Sequence, residues 1–431
     1  MNTKIVKSEL IHKEYTLCTH ESGLKIFLYP MEGFSSNYAI FGTKYGSIDN
    51  AFINEQGEKV DLPEGIAHFL EHKLFESEDG DAFTKYTKTG AYSNAYTSFD
   101  RTCYLFSCSN RFYDNLKILL DFVRSPYFTE ATVNKEQGII GQEIRMYDDM
   151  PSWRVMFNML ESMYHNHPVR IDIAGTTDSI AKITHKTLYN CYNRFYDLSN
   201  MFIVLAGDFN TDEVLSFIYD NLKVPEKSAE DTSSVIPDEP NEVKKHFVSM
   251  KLDVATPLFC LGFKEYESNK TPNEKQLVSM EILLKMLAGT ASPLYKELLE
   301  KGLINEEFSF EYFTGRGFAL PMFDGESAHP EQVMELILKE ARRMRKEGLD
   351  GQLFEAVRRD IYGKSIRRFD VSESVCSMLT DATVLGYDLF EYFNCLATVT
   401  AEDVTENLSV FTEERAVLSV IEPINSKGEN K

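Results

Sequence analysis

Asp61-Leu-Pro-Glu-Gly-Ile-Ala-His68-Phe-Leu-Glu71-His72-Lys-Leu-Phe-Glu76 decides how this chain is read. Ile66, Phe69, Leu70 and Leu74 recur at helical spacing and predict a core-facing helix. Asp61 is the expected N-cap, with Pro63 in the first turn. At about 100° per residue, two imidazoles four apart fall on one face of that helix, a turn from each other. His68 and His72 therefore have the geometry of two ligands on one zinc ion. Glu71 lies beside them on the same side, within reach of a water at such a site. The order H-x-x-E-H inverts the commoner H-E-x-x-H.

A catalytic zinc takes three protein ligands and keeps one position open. Downstream runs Lys135-Glu136-Gln-Gly-Ile-Ile-Gly-Gln-Glu143-Ile-Arg-Met-Tyr-Asp148, helical by its Ile139, Ile140 and Ile144. Glu136 and Glu143 share a face two turns apart, so either carboxylate is a candidate for the third position. Gly138 and Gly141 each cost that helix about 1 kcal/mol against Ala. The expected return is close approach of a second helix, the one carrying the histidines.

His68, Glu71 and His72, followed by Glu136 and Glu143, resemble the pitrilysin/insulinase family of zinc peptidases, which includes the mitochondrial processing peptidases. Gly90-Ala-Tyr-Ser-Asn94-Ala95-Tyr96-Thr-Ser98 is similar to the family's substrate-strand segment. Asn166 to Thr176 and Tyr196 to Gly207 are similar to later landmarks of its N-terminal domain. The resemblance implies that His68, His72 and Glu143 bind one zinc, that Glu71 is the general base and that Glu136 supports the site from behind a ligand. It also implies that Asn94, Ala95 and Tyr96 lie where peptide substrate adds a strand. The implied fold is α+β: two homologous domains, each a mostly antiparallel sheet with helices on one face.

A formal net charge of −22 disfavours a nucleic-acid surface, which needs Lys and Arg against phosphates. No apolar run of 18 residues stands out, so no membrane span is expected. The first ten residues hold no apolar core of a signal peptide. Cys18, Cys103, Cys108, Cys191, Cys260, Cys376 and Cys395 form no C-x-x-C and read as reduced thiols of a cytoplasmic protein. Cys103 and Cys108 read as small buried hydrophobes.

Residues 224–243 are rich in Pro, Ser and acid and lack periodicity. They are the expected linker between a zinc-binding domain over 1–223 and a second domain over 244–431. The second half reads as a worn copy of the first, with Glu143-Ile-Arg-Met-Tyr-Asp148 against Ser365-Ile-Arg-Arg-Phe-Asp370. At that offset His68, Glu71 and His72 meet Thr290, Pro293 and Leu294, so the second copy is expected to be metal-free.

Active members of the family resembled here often carry an Arg and a Tyr in the C-terminal half that reach the substrate or its oxyanion. The matching positions are Leu299 and Asn305. The expectation is therefore a zinc endopeptidase subunit that works as a homodimer or with a related partner, or else a weakly active assembly subunit of the same fold. His165-Asn-His167 beside Pro168 reads as a structural loop, and Arg342-Arg-Met-Arg-Lys346 as a solvated helix face.

Overall fold

The computed structural model describes residues 2–78, 80–225, 231–265 and 271–424. The chain is α+β and forms two compact units. Unit 1 comprises Met1–Ile144, Asp172–Ile236 and Ser365–Phe390; unit 2 comprises Arg145–Ile171, Pro237–Lys364 and Glu391–Lys431.

In unit 1 a hairpin of β1 (Asn2–Ser8) and β2 (Lys13–Thr19) leads to β3 (Lys25–Pro30) and β4 (Asn37–Thr43). Two small hairpins follow: β5 (Ala51–Ile53) with β6 (Lys59–Asp61), and β7 (Glu76–Ser77) with β8 (Gly80–Asp81). Between them lies helix α1 (Ile66–Leu74), and after them α2 (Ala82–Thr89). Next come β9 (Tyr92–Thr97), β10 (Thr102–Cys108), α3 (Phe112–Val123) and α4 (Glu130–Asp148). The unit resumes with α6 (Thr177–Ile180), α7 (His185–Phe195), β11 (Met201–Gly207) and α8 (Thr211–Asn221), leaving α5 (Pro151–Met163) to unit 2. The seven-stranded sheet has the order β1-β2-β3-β11-β4-β10-β9. Only β3 and β11 pair in parallel. The apolar run over residues 201–206 predicts a buried strand, and β11 is buried at every residue.

In unit 2, β12 (Phe247–Leu252) and β13 (Leu258–Phe263) precede α9 (Glu274–Ala288) and α10 (Pro293–Glu300). The hairpin of β14 (Ser309–Gly315) and β15 (Phe318–Glu326) leads to α11 (Pro330–Glu347) and α12 (Gly351–Arg367). The last strand is β16 (Ala416–Pro423). The sheet order is β12-β16-β13-β15-β14, with β12 and β16 parallel. Strand for strand, this repeats β3-β11-β4-β10-β9, so the duplication read from one six-residue match is present in the topology. The stretch Glu274–Glu300, long and apolar enough to cross a membrane by composition, contributes its buried residues to this core.

The units are not the two continuous stretches expected. Each takes one helix from the other's half: α5 packs on β13 and β16, and α13 (Ser372–Leu385) packs on β4 and β11. The crossings fall after Ile144 and after Lys364, inside the first of the stretches that matched in sequence and at the start of the second. The exchanged helix also refines the expectation of helices on one face. Tyr104 of β10 meets Phe122 of α3 on one side of the sheet, ring centroids 5.6 Å apart. Tyr38 of β4 projects to the other side, beside Glu373 and Cys376 of α13.

Residues 226–230 of the expected linker lie outside the described residues. The stretch after them is pinned on both sides of the unit boundary. Val235 N–H donates to Ala51 O at 2.8 Å within unit 1. In unit 2, Glu239 accepts the backbone N–H groups of His165, Asn166 and His167 at 2.9, 2.7 and 2.8 Å and pairs with the fully buried Lys264 at 2.6 Å. His167 in turn accepts from Val169 N–H at 3.1 Å, so this His pair sits in a turn, as its neighbouring proline suggested. Burial holds the His167 imidazole down at about 4.

Candidate metal centre and the adjoining sheet edge

Helix α1 begins at Ile66, later than its sequence suggests, and Asp61 closes strand β6 instead of capping it. The N-cap is Gly65 at φ +84°, without a side-chain cap. Close packing explains the glycine: a Cβ there would stand 2.3 Å from Ala174 O. Gly175, at φ +72°, meets Glu64 O in the same way at 2.5 Å. Ser179 Oγ seals the junction by donating to Glu64 O at 2.9 Å. Two left-handed glycines thus set the entry of the histidine helix against the loop before α6. The apolar residues expected to face the core, Ile66, Phe69, Leu70 and Leu74, are all buried.

That packing holds the polar residues of α1 inside the protein. His68 and Glu71 are 8% and 9% exposed. Lys73 is fully buried and pairs with Glu76, a contact that sequence reasoning missed. The rings of His68 and His72 lie 4.5 Å apart by centroids. Glu143 of α4 reaches both: His68 Nε2 to Oε1 is 3.7 Å and His72 Nε2 to Oε2 is 3.6 Å. These are too long for hydrogen bonds. Bonds of about 2.0–2.2 Å to one ion place tetrahedral ligand atoms roughly 3.3–3.5 Å apart, close to what is found. The three ligand atoms lie within 4.8 Å of one another, and no second such cluster of His, Cys, Asp or Glu occurs among the described residues.

Electrostatics fit a metal. Burial, with the charge of His72, drives the His68 imidazole down to about 3, so it is the neutral base that a cation needs. Its Nδ1 is buried without a hydrogen-bond partner among the described residues. Burial opposes charge on His72 as well. There a hydrogen bond donated to Glu136 and the charges of Glu71, Glu143 and Glu136 outweigh it and raise the pKa. Glu136 Oε1 lies 3.1 Å from His72 Nδ1, leaving Nε2 for the centre. The same bond offsets burial at Glu136 and holds its carboxyl below the usual range. So the structure separates two carboxylates that helical spacing alone left equivalent: Glu143 faces both imidazoles, while Glu136 stands behind one.

Glu71 Oε2 accepts from Thr97 Oγ1 at 2.9 Å. Burial raises its carboxyl pKa, with Thr97 and His72 pulling the other way. The expected approach of α1 to Gly138 is not found, since a Cβ there would meet nothing within 4 Å. Ile139 is also open, 45% exposed, whereas Ile140, Gly141 and Ile144 are buried. Helix α4 buries a narrower stripe than its three isoleucines imply.

Strand β9 spans the expected segment, Tyr92–Thr97, and ends its sheet, paired only with β10. Ser98 N–H donates to Arg101 O at 2.8 Å. By alternation, Asn94 and Tyr96 turn their backbone groups to β10, while Ser93, Ala95 and Thr97 turn theirs to the open edge. Tyr96 therefore offers that edge only a side chain, 38% exposed. Asn94 Oδ1 accepts from Ala95 N–H at 2.9 Å, so the strand partly caps its own edge.

In unit 2 the element order sets α9 in the place of α1. Thr290, Pro293 and Leu294 lie in or beside α10, so the ungapped offset misaligned them. Leu299 is an exposed residue of α10, and Asn305 Nδ2 donates to Glu326 at 2.9 Å. Neither position holds a cation or a phenol. The Arg342–Lys346 stretch forms ion pairs on an open face of α11, with Arg342 to Glu413 and Arg343 to Glu340 and Glu347.

Residues 57–177 match the family model described as insulinase, peptidase family M16, and residues 182–361 match the peptidase M16 inactive domain. The chain is 41% identical over 387 residues to the uncharacterized zinc protease YmfH of Bacillus subtilis, covering 89% of this chain and 90% of that protein. An M16-like peptidase from Alicyclobacillus acidocaldarius superposes with a TM-score of 0.90 at 33% identity, covering 98% of this chain and 99% of that one. Pitrilysin superposes with a TM-score of 0.77 at 18% identity; all of this chain matches 47% of that one, a likeness of fold.

Proposed function

Because the chain belongs to the insulinase family, peptidase family M16, we propose that it is a zinc endopeptidase subunit with Glu71 as its general base. The observation that carries this is the meeting of His68, His72 and Glu143 within 4.8 Å, with Glu71 on the same helix face. Zinc held by these three residues would bring a water towards a pKa of about 7 and polarise a carbonyl.

Glu71 supplies the proton acceptor. Thr97 Oγ1 holds its Oε2, and the carboxylate takes the proton of the attacking water and passes it to the leaving amine. Its raised pKa suits both halves of that task, since the group must accept and release within one cycle. Glu136 orients His72 through Nδ1. The peptide adds to β9 by main-chain bonds with Ser93, Ala95 and Thr97, displacing the Asn94 side chain from Ala95 N–H. Asn94 and Tyr96 then contribute side-chain contacts.

Leu299 and Asn305 favour a second reading, a subunit that lacks part of the oxyanion machinery and is weak alone. One missing oxyanion donor costs about 10²–10³ in rate. The test is metal analysis of the purified chain, then cleavage of fluorogenic peptides by the chain alone and mixed with a same-fold partner carrying an Arg and a Tyr. We expect one zinc per chain and turnover that the partner raises. Full turnover by the solitary chain would favour a self-sufficient homodimer; no turnover under either condition would leave the assembly role.

A further inference from the structure

We propose that Thr97 is a positioning residue for Glu71, and that it ties the orientation of the base to the strand receiving the peptide; this rests on the base role proposed above. The last torsion of a Glu side chain is soft and roughly two-fold, so burial alone does not decide which way its carboxylate faces. Here the orienting contacts come from Thr97, whose Oγ1 donates to Glu71 Oε2 at 2.9 Å and whose backbone also hydrogen-bonds the carboxylate. The hydroxyl bond anchors Oε2 of that carboxylate.

Thr97 is the last residue of β9, and its backbone is among those facing the open edge. Its side chain points to the face of the sheet that carries α1. A strand added at that edge would thus touch the same residue that holds the base. Ser93 and Ala95 share its phase along β9, but among the described residues Thr97 is the one of the three whose side chain bonds Glu71. The neighbouring motif residues explain themselves otherwise, Asn94 by its bond to Ala95 N–H and Tyr96 by its place opposite Cys103.

The test compares wild type with Thr97→Val, which keeps the shape and removes the hydroxyl, and Thr97→Ser, which restores it. With the metal-loaded enzyme, alone or with a same-fold chain that raises its turnover, kcat of the Val variant should fall about tenfold or more, with KM within about twofold and the Ser variant recovering to within about threefold. Zinc content should match in all three. Crystal structures of the metal-free proteins supply a readout independent of turnover. Glu71 should keep one carboxylate orientation in wild type and Thr97→Ser, and lose it in Thr97→Val. A Val variant with wild-type kcat, or with Glu71 unmoved, overturns the proposal. So does a loss of rate that only follows a loss of zinc. If wild type cleaves nothing even with a partner, the peptidase reading falls, and the crystallographic comparison alone decides the Thr97 contact.

Discussion

Strands β9 and β14 hold the same place at the ends of two sheets with the same strand order, and a helix packs on each. Over β9 lies α1, with two imidazoles and a carboxylate facing inward. Over β14 lies α9, whose buried residues are Val278, Ser279, Met280, Ile282, Leu283, Leu284, Met286, Leu287 and Ala288. One scaffold therefore carries two opposite solutions for the same helix position. In unit 2 the position is core, and each fully buried Leu, Ile or Val contributes about 1.5–3 kcal/mol. In unit 1 it is a polar site, where each buried polar group without full compensation costs about 1–3 kcal/mol. The fold does not depend on the site. The stability of unit 1 comes from strands buried along their length and from the apolar residues of α1, and the polar set is carried at their expense.

Four experiments would break or sharpen that contrast. The largest effect is expected from Glu71→Gln, which should lower peptide turnover by about 10²–10⁴ while zinc and fold persist. Turnover near wild type, at equal zinc by mass spectrometry, would remove Glu71 as the base. Next, Leu283→Ala in α9 should cost about 2–5 kcal/mol in urea unfolding and leave zinc binding intact. An unchanged unfolding midpoint would show that α9 is not the core element described.

Glu136→Gln should weaken zinc about 10–100-fold in chelator competition, less than His72→Ala, which should abolish stoichiometric binding. Equal losses for the two would place Glu136 among the direct ligands. The smallest effect runs in the opposite direction. In the metal-free protein Glu71→Met should raise stability by about 1 kcal/mol, because a buried carboxyl becomes apolar at similar volume. A destabilised Met variant would mean that the Thr97 bond more than offsets the burial of Glu71.

What was legible in sequence was local. A helix repeats every 3.6 residues, so His68, Glu71 and His72 declared a shared face without any knowledge of their surroundings. Ile66, Phe69, Leu70 and Leu74 marked the core face of α1 for the same reason, since amphipathic spacing is a short-range signal. The duplicated topology left one readable trace, because the crossing stretches at Glu143–Asp148 and Ser365–Asp370 kept their pattern while the rest diverged.

Tertiary structure alone decided matters that depend on residues far apart in the chain. The start of α1 turns on Gly65 meeting Ala174, more than a hundred residues away. Spacing leaves Glu136 and Glu143 alike and only the family resemblance told them apart in sequence; that Glu143 is the carboxylate reaching both imidazoles is visible once the two helices are placed. The exchange of α5 and α13 follows from which sheet each apolar face covers, and amphipathic spacing marks a face without naming its partner. The hold of Thr97 on Glu71 belongs to the same class, a contact between an edge strand and a helix 26 residues apart in sequence. Periodicity is written in neighbouring residues, whereas contacts depend on where distant elements come to rest.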